Sequence, residues 1–305
     1  MKYLPFLKGK YTVNPGLKAI DKANGYDRKI FQFDEHVRAF LENKNKCRKE
    51  GISKYYCEQD LDPQTRNAIN AFIIEQLQRE YPNFFYVDKT NKEFICTLTG
   101  DAIVFSDNGE ADYPDKYVNL FDALCSQVQE DLAIFKFTRS TDWLSAVHLC
   151  APNHWSPSEK IGLNFDLIHD PIPGLEKMRK HYYPMLRSVI DKGPFYRYGW
   201  GIGTDNRLNH HPNAPLGFDQ SEWNGRRFDP ENPKLYIRVE RQTLTGFHDQ
   251  EAILFTIRTY FYEVNVLEKV EKDALISAIE SMSEASLVYK GLSKDRDSIL
   301  SYLHV

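Results

Sequence analysis

The spacing of apolar positions divides the chain into segments of different period. Residues 7–24 are rich in Lys, Gly and polar side chains and read as an extended arm. Over 34–50, Val37, Phe40 and Leu41 fall at helical spacing. Asp62-Pro63 marks a helix start, a capping carboxylate followed by proline in the first turn. That helix carries Ile69, Phe72, Ile73 and Leu77 and ends near Tyr81-Pro82. The period then shortens. Residues 84–87 and 94–98 read as strands about a polar turn at 88–92. Residues 102–105 make another short β-like run, closed by Asp107-Asn108-Gly109. Over 118–135, Leu120, Phe121, Leu124, Val128, Leu132 and Phe135 share one stripe, which predicts a single amphipathic helix. Residues 142–150 return to strand character.

The stretch 151–233 is irregular, holds most of the Pro, Gly, Trp and His, and has one predicted helix over 175–190. Two clear strands follow, 235–244 and 252–264, joined by 245–251 as an antiparallel hairpin. A helix over 272–289 closes the pattern. Helices, strands with a helix, an irregular middle, a long hairpin and a last helix favour α+β over a βαβ alternation. With 305 residues the chain reads as a single domain: arm and helices over 1–82, a core over 83–268 and a C-terminal helix within 269–305.

Charge and cysteine narrow the setting. Lys plus Arg total 39 and Asp plus Glu total 43, a net charge of −4, which does not suit a chain that tracks nucleic acid. The basic cluster Lys44, Lys46, Arg48, Lys49 and Lys54 is interleaved with Glu42 and Glu50 and reads as a solvated helix face. The 5 cysteines are odd in number and lack CxxC spacing, against both a disulfide scaffold and a zinc knuckle. Residues 1–10 have no apolar signal region. The longest stretch free of Asp, Glu, Lys and Arg, 143–158, contains His148, Asn153, His154 and two prolines, so no membrane span is expected. These features predict a soluble protein in a reducing cytoplasm.

Several motifs fail on inspection. Gly199-Trp200-Gly201-Ile202-Gly203 has its third glycine one position early for a dinucleotide loop, and no P-loop Lys-Ser/Thr follows. There is no GxSxG, no HExxH and no CxxCH, so a haem here would be held non-covalently.

Two places invite chemistry. Of the 9 histidines, His148, His154, His169, His181, His210 and His211 crowd the region 148–211, at spacings that fit no compact zinc motif. His169 precedes Asp170-Pro171-Ile172-Pro173, whose prolines stiffen the backbone beside the imidazole; a plain proline turn is the competing reading. On the strand after Pro233, alternation sets Leu235, Ile237 and Val239 on one face. Tyr236, Arg238, Glu240 and Gln242 share the other, as a solvated face or as the polar wall of a cavity that Arg258 can join. Aromatic residues make up 13% of the chain and concentrate at 182–200 and 255–262, beside that strand.

Taken in order, a set of short segments resembles the haem-dependent oxidative N-demethylase family over roughly residues 5–264. They are Pro5-Phe6 with Asn14-Pro15-Gly16-Leu17, Arg79-Glu80-Tyr81-Pro82, and Val128-Gln129-Glu130-Asp131-Leu132. Trp155-Ser156-Pro157 with Glu159-Lys160-Ile161-Gly162 and Ile168-His169-Asp170-Pro171-Ile172-Pro173 follow. Arg197-Tyr198-Gly199-Trp200 and Arg238-Val239-Glu240-Arg241-Gln242-Thr243-Leu244 complete the set. The resemblance implies a PAS-like antiparallel sheet with flanking helices that binds haem b non-covalently. It implies oxygen-dependent demethylation of a small secondary amine such as dimethylamine, with release of formaldehyde. Electrons would come from a separate flavin and iron–sulfur reductase.

On that resemblance His169 is the axial metal ligand. Arg197, Arg238 and Arg241 suit the propionates. Lys160, Trp155 and Trp200 join them in holding the macrocycle, and Glu240 with Arg238 handles substrate or protons. The chain departs from the family pattern at Gly199, where Asn is common, and at Gly246-Phe247-His248, where Leu-Pro is common. Two other readings remain: a non-enzymatic PAS-like haem or small-ligand sensor, and a haem-free member whose polar strand is a solvated face.

Overall fold

In the computed structural model, which describes residues 2–105, 116–224 and 227–304, the N-terminal arm contributes one short strand, β1 (Lys18–Ala19). Helix α1 (Val37–Gly51), strand β2 (Tyr56–Glu58) and helix α2 (Pro63–Glu80) follow. Asp62 caps α2 as its sequence predicts, accepting the Thr65 N–H at 2.8 Å. Strands β3 (Phe85–Asp88), β4 (Glu93–Cys96) and β5 (Asp101–Val104) form a small antiparallel sheet in that order. The 107–109 turn lies outside the described residues.

The single helix expected over 118–135 does not form. Helix α3 covers only Leu120–Cys125, and strand β6 runs over Asp131–Phe137. The apolar stripe there is not one face of a surface helix. Every residue from Leu120 to Ile134 except Ser126 is buried, and a segment buried on all sides loses the one-sided pattern that identifies its period. Ser126 ends the helix by donating its hydroxyl to the Asp122 carbonyl at 2.8 Å.

After β7 (Asp142–His148), the region read as irregular holds more order than its composition suggests. It forms α4 (Pro157–Lys160), α5 (Phe165–His169), α6 (Glu176–Arg179), α7 (Tyr182–Lys192), strand β8 (Phe195–Gly203) and α8 (Gln220–Asn224). The helix predicted over 175–190 is therefore two, interrupted at Lys180-His181. The hairpin is longer than predicted: β9 (Tyr236–Phe247) pairs with β10 (Ala252–Glu263) along its whole length. The C-terminal pattern resolves into α9 (Lys269–Glu280), α10 (Glu284–Tyr289) and α11 (Arg296–Leu303). Ser283 starts α10 by accepting the Ser286 N–H at 3.2 Å.

Seven strands make the main antiparallel sheet, in the order β1-β8-β9-β10-β6-β7-β2. The fold is thus α+β, as predicted. Register assigns each side chain to a face. Arg197 lies opposite Gln242, Gly199 opposite Glu240 and Gly201 opposite Arg238. Their face continues through Ile257 and Phe255 to Ala133 and Leu144 and is covered by α5 and α7. The other face carries Ile237 and Val239, both fully buried, under the N-terminal arm and the C-terminal helices. Both faces of the sheet are therefore covered. Under that cover Arg238 is buried and Glu240 and Gln242 are half-buried.

Candidate functional site

Between the sheet and α4–α7 lies a cleft of three adjoining compartments, about 510, 220 and 170 Å³. Trp155, Lys160 and Ile172 border all three. The largest alone falls within the range of ~300–1,000 Å³ usual for small-molecule and cofactor sites. A further cavity of about 580 Å³ lies on the other face, lined by Tyr3, Phe40, Tyr260 and Arg258. Its aromatic wall already holds the Arg258 guanidinium, 4.1 Å from the Phe40 ring and 4.5 Å from the Tyr260 ring. Arg258 also pairs with Asp34 at 2.6 Å.

His169 enters the cleft as the last residue of α5. The turn expected from its prolines begins only after it. Asn164 caps the helix by accepting the Leu167 N–H at 2.8 Å. His169 Nδ1 lies 2.7 Å from the Phe165 carbonyl, and its ring stacks on Phe165 at 4.0 Å. A carbonyl only accepts, so Nδ1 carries the hydrogen and Nε2 keeps its lone pair. Burial, outweighing the Phe165 bond, lowers the imidazole pKa to about 4, with Lys160 and Arg197 adding to the effect. The ring is neutral at physiological pH.

Around it stand charges that the fold leaves partly unsatisfied. Glu240 accepts from Gln242 Nε2 at 3.1 Å and lies 3.4 Å from Arg238 Nε. Arg197 Nε is buried without a hydrogen-bond partner among the described residues. Lys160 sits 4.4 Å over the Trp155 ring. Burial lowers the pKa of Lys160, Arg197 and Lys290, with Glu240 opposing it in each case. One compartment is lined by Lys160, Arg197, Arg238 and Lys290 against the single carboxylate of Glu240. Such an excess of buried cations suits an anionic ligand.

The predicted residues divide. His169, Lys160, Trp155, Arg197, Arg238 and Glu240 come together at the cleft. Arg238 does so as a brace, donating to the carbonyls of Ala151 at 2.5 Å and Leu208 at 3.3 Å and to Thr259 Oγ1 at 3.2 Å. Trp200 projects to the opposite face, against Phe6 at 5.2 Å and Tyr11 at 6.1 Å, and reaches only the cleft's border. Arg241 leaves the site altogether. It is fully buried on the opposite face, bonded to the carbonyls of Asp27, Lys29 and Ile30 at 2.8, 2.7 and 3.3 Å. Strand alternation dictates this, since 241 has the parity opposite to 238 and 240. Arg258, its cross-strand partner, follows it to that face.

A family model described as haem-dependent oxidative N-demethylase, alpha subunit-like, matches residues 22–300. The chain belongs to this family. Across its compartments the cleft brings together the imidazoles of His154, His169 and His210, the buried cations, and the carboxylates of Glu159, Asp205 and Glu240. No helix among the described residues is long and apolar enough to cross a membrane.

This family member also has a buried group of metal-capable side chains away from the cleft. Potential ligand atoms of Asp131, His148 and Cys150 lie within 4.8 Å of one another. They are already engaged. Asp131 accepts the N–H groups of Cys150 and Ala151 at 2.7 and 2.8 Å. His148 Nε2 pairs with Asp122 at 3.1 Å. Burial works against charge on that ring, but Cys150 and Asp122 outweigh it and raise the pKa to about 9. His148 and Asp122 thus form a buried ion pair, while Asp131 is taken up by backbone N–H groups and burial keeps the Cys150 thiol protonated.

Lys290, Tyr289 and Gln242 also line the cleft. Gln242 was legible from alternation. Nothing local to the sequence marks Lys290, which arrives with the C-terminal helices.

Proposed function

We propose that this chain binds haem b in the cleft through His169 and acts as the oxygen-using subunit of an oxidative N-demethylase. The observation that carries the reading is the His169 geometry. The Phe165 carbonyl takes the Nδ1 hydrogen at 2.7 Å, which leaves a neutral Nε2 as ligand. The orphaned Arg197 Nε supports the fit, because propionates are carboxylates and guanidinium matches them. Arg197, Lys160 and Lys290 would hold the acidic edge, and Trp155 with Phe255 the apolar body. The PAS-like description of the core belongs to this reading.

The bound haem supplies oxygen activation. The other roles fall to the chain itself. Glu240 holds the ammonium of a small secondary amine, such as dimethylamine, at a carboxylate oriented by Gln242 and Arg238. It also takes or returns a proton at Oε1 or Oε2. Formaldehyde is the carbon product, and a separate flavin and iron–sulfur reductase provides electrons.

The test is an absorbance spectrum of the purified chain with haemin. A Soret band is expected, with loss of its ligand signature in His169→Ala. Glu240→Gln should keep the band and lose about 10²–10⁴-fold in reductase-driven amine turnover. A wild-type chain with no spectral change would reject the haem reading. Haem binding without amine turnover in the wild type would point to a sensor instead.

A further inference from the structure

Strand β8 carries glycine at 199, 201 and 203. The period of two places all three on the face that presents Arg197 to the cleft. None has a left-handed φ, so no backbone conformation demands glycine. Packing does not demand it at the first two positions either. A Cβ added to Gly201 would meet nothing within 4 Å, and one added to Gly199 only the Gln242 amide at 3.8 Å. Gly246 is the contrast: there a Cβ would strike the Ile190 backbone at 2.4 Å, which explains that glycine within the fold. Glycine weakens a strand interior, and one that neither bends nor packs often marks close approach by a ligand.

The bare strip lies in the compartment lined by His169, Arg197 and Lys290. Gly199 faces Glu240 across the ladder and Gly201 faces Arg238. Lys290 Nζ donates to the Trp200 carbonyl, between the two glycines, at 2.7 Å, and an ammonium has three donors.

We propose that Gly201 forms a backbone floor for the flat face of the cleft's ligand, with Lys290 at its border binding a carboxylate of that ligand. The inference rests on the haem reading and gives a use to the central glycine of the run that fails as a nucleotide loop.

The test uses the full chain with Gly201→Val, Gly201→Ala and Lys290→Met. Haemin is titrated by Soret absorbance, and thermal unfolding is measured without haemin. Valine has a better strand preference than glycine, and its Cβ meets nothing within 4 Å. The haemin-free unfolding midpoint of Gly201→Val should therefore equal or exceed the wild type. Its haemin affinity should fall about tenfold or more, with Gly201→Ala between the two. Lys290→Met should weaken haemin on the order of tenfold. Wild-type affinity in Gly201→Val, or a lowered haemin-free midpoint, overturns the floor. Wild-type affinity in Lys290→Met overturns its carboxylate role. A wild-type chain that ignores haemin fails the haem reading first, and this inference falls with it.

Discussion

Arg238 and Arg241 stand three residues apart on β9 and point in opposite directions. The first braces the loops at Ala151 and Leu208 beside the cleft. The second ties down the N-terminal arm through three carbonyls. Arg241→Met should therefore cost about 2–3 kcal/mol in urea denaturation, because buried acceptors lose their donors. Haemin affinity should not move. Glu130 gives a second residue-scale expectation. It is fully buried, and one of its oxygens has no partner. Burial, opposed by Arg258, raises its pKa from 4.5 to about 7. The folded state thus holds a proton that the unfolded state has released. Its contribution to stability is complete below pH 4.5 and is lost as pH rises through about 7. Glu130→Gln should flatten that part of the stability profile, read as urea midpoints from pH 5 to pH 8.

At the scale of elements, the cleft depends on how closely α7 approaches β9. Gly246 permits it, with the Val189 and Ile190 backbone within 2.6 Å of any added Cβ. Gly246→Ala should cost about 1–3 kcal/mol by forcing the helix away. Haemin affinity should fall too, since Met185, Leu186 and Val189 line the cleft. Calorimetry and haemin titration on the same variant would check both. Helix α5 has only five residues, so its cap carries weight. Asn164→Ala should lose about 1 kcal/mol. Two sequence readings failed at this scale for one reason. Residues 118–135 look helical, and 195–203 look irregular, because local pattern assumes a single buried face and ordinary side chains. Segment 120–134 is buried nearly all round. Strand β8 is held by its ladder to β9 despite three glycines.

For the whole molecule, the C-terminal helices belong to the site as well as the core. Leu275, Ile276 and Ile279 pack in the cluster that covers Ile237 and Val239, while Lys290 reaches the cleft. Truncation after Glu268 should yield an aggregating chain that binds no haemin, as judged by size-exclusion chromatography and absorbance.

Periodicity was enough to set the α+β class, the long hairpin, the cap at Asp62 and the parity that groups Arg238 with Glu240 and Gln242. Those follow from interactions a few residues apart along the chain. The family resemblance singled out His169 within its segment. What the sequence could not decide is which face of each strand meets the cleft, and what covers it. Parity separates Arg241 from Arg238 and Glu240; packing decided which of the two rows meets the cleft, and it recruited Lys290. That choice was made by long-range packing, in which the sheet's two faces compete for the arm, the middle helices and the C-terminal helices. No local pattern carries that outcome.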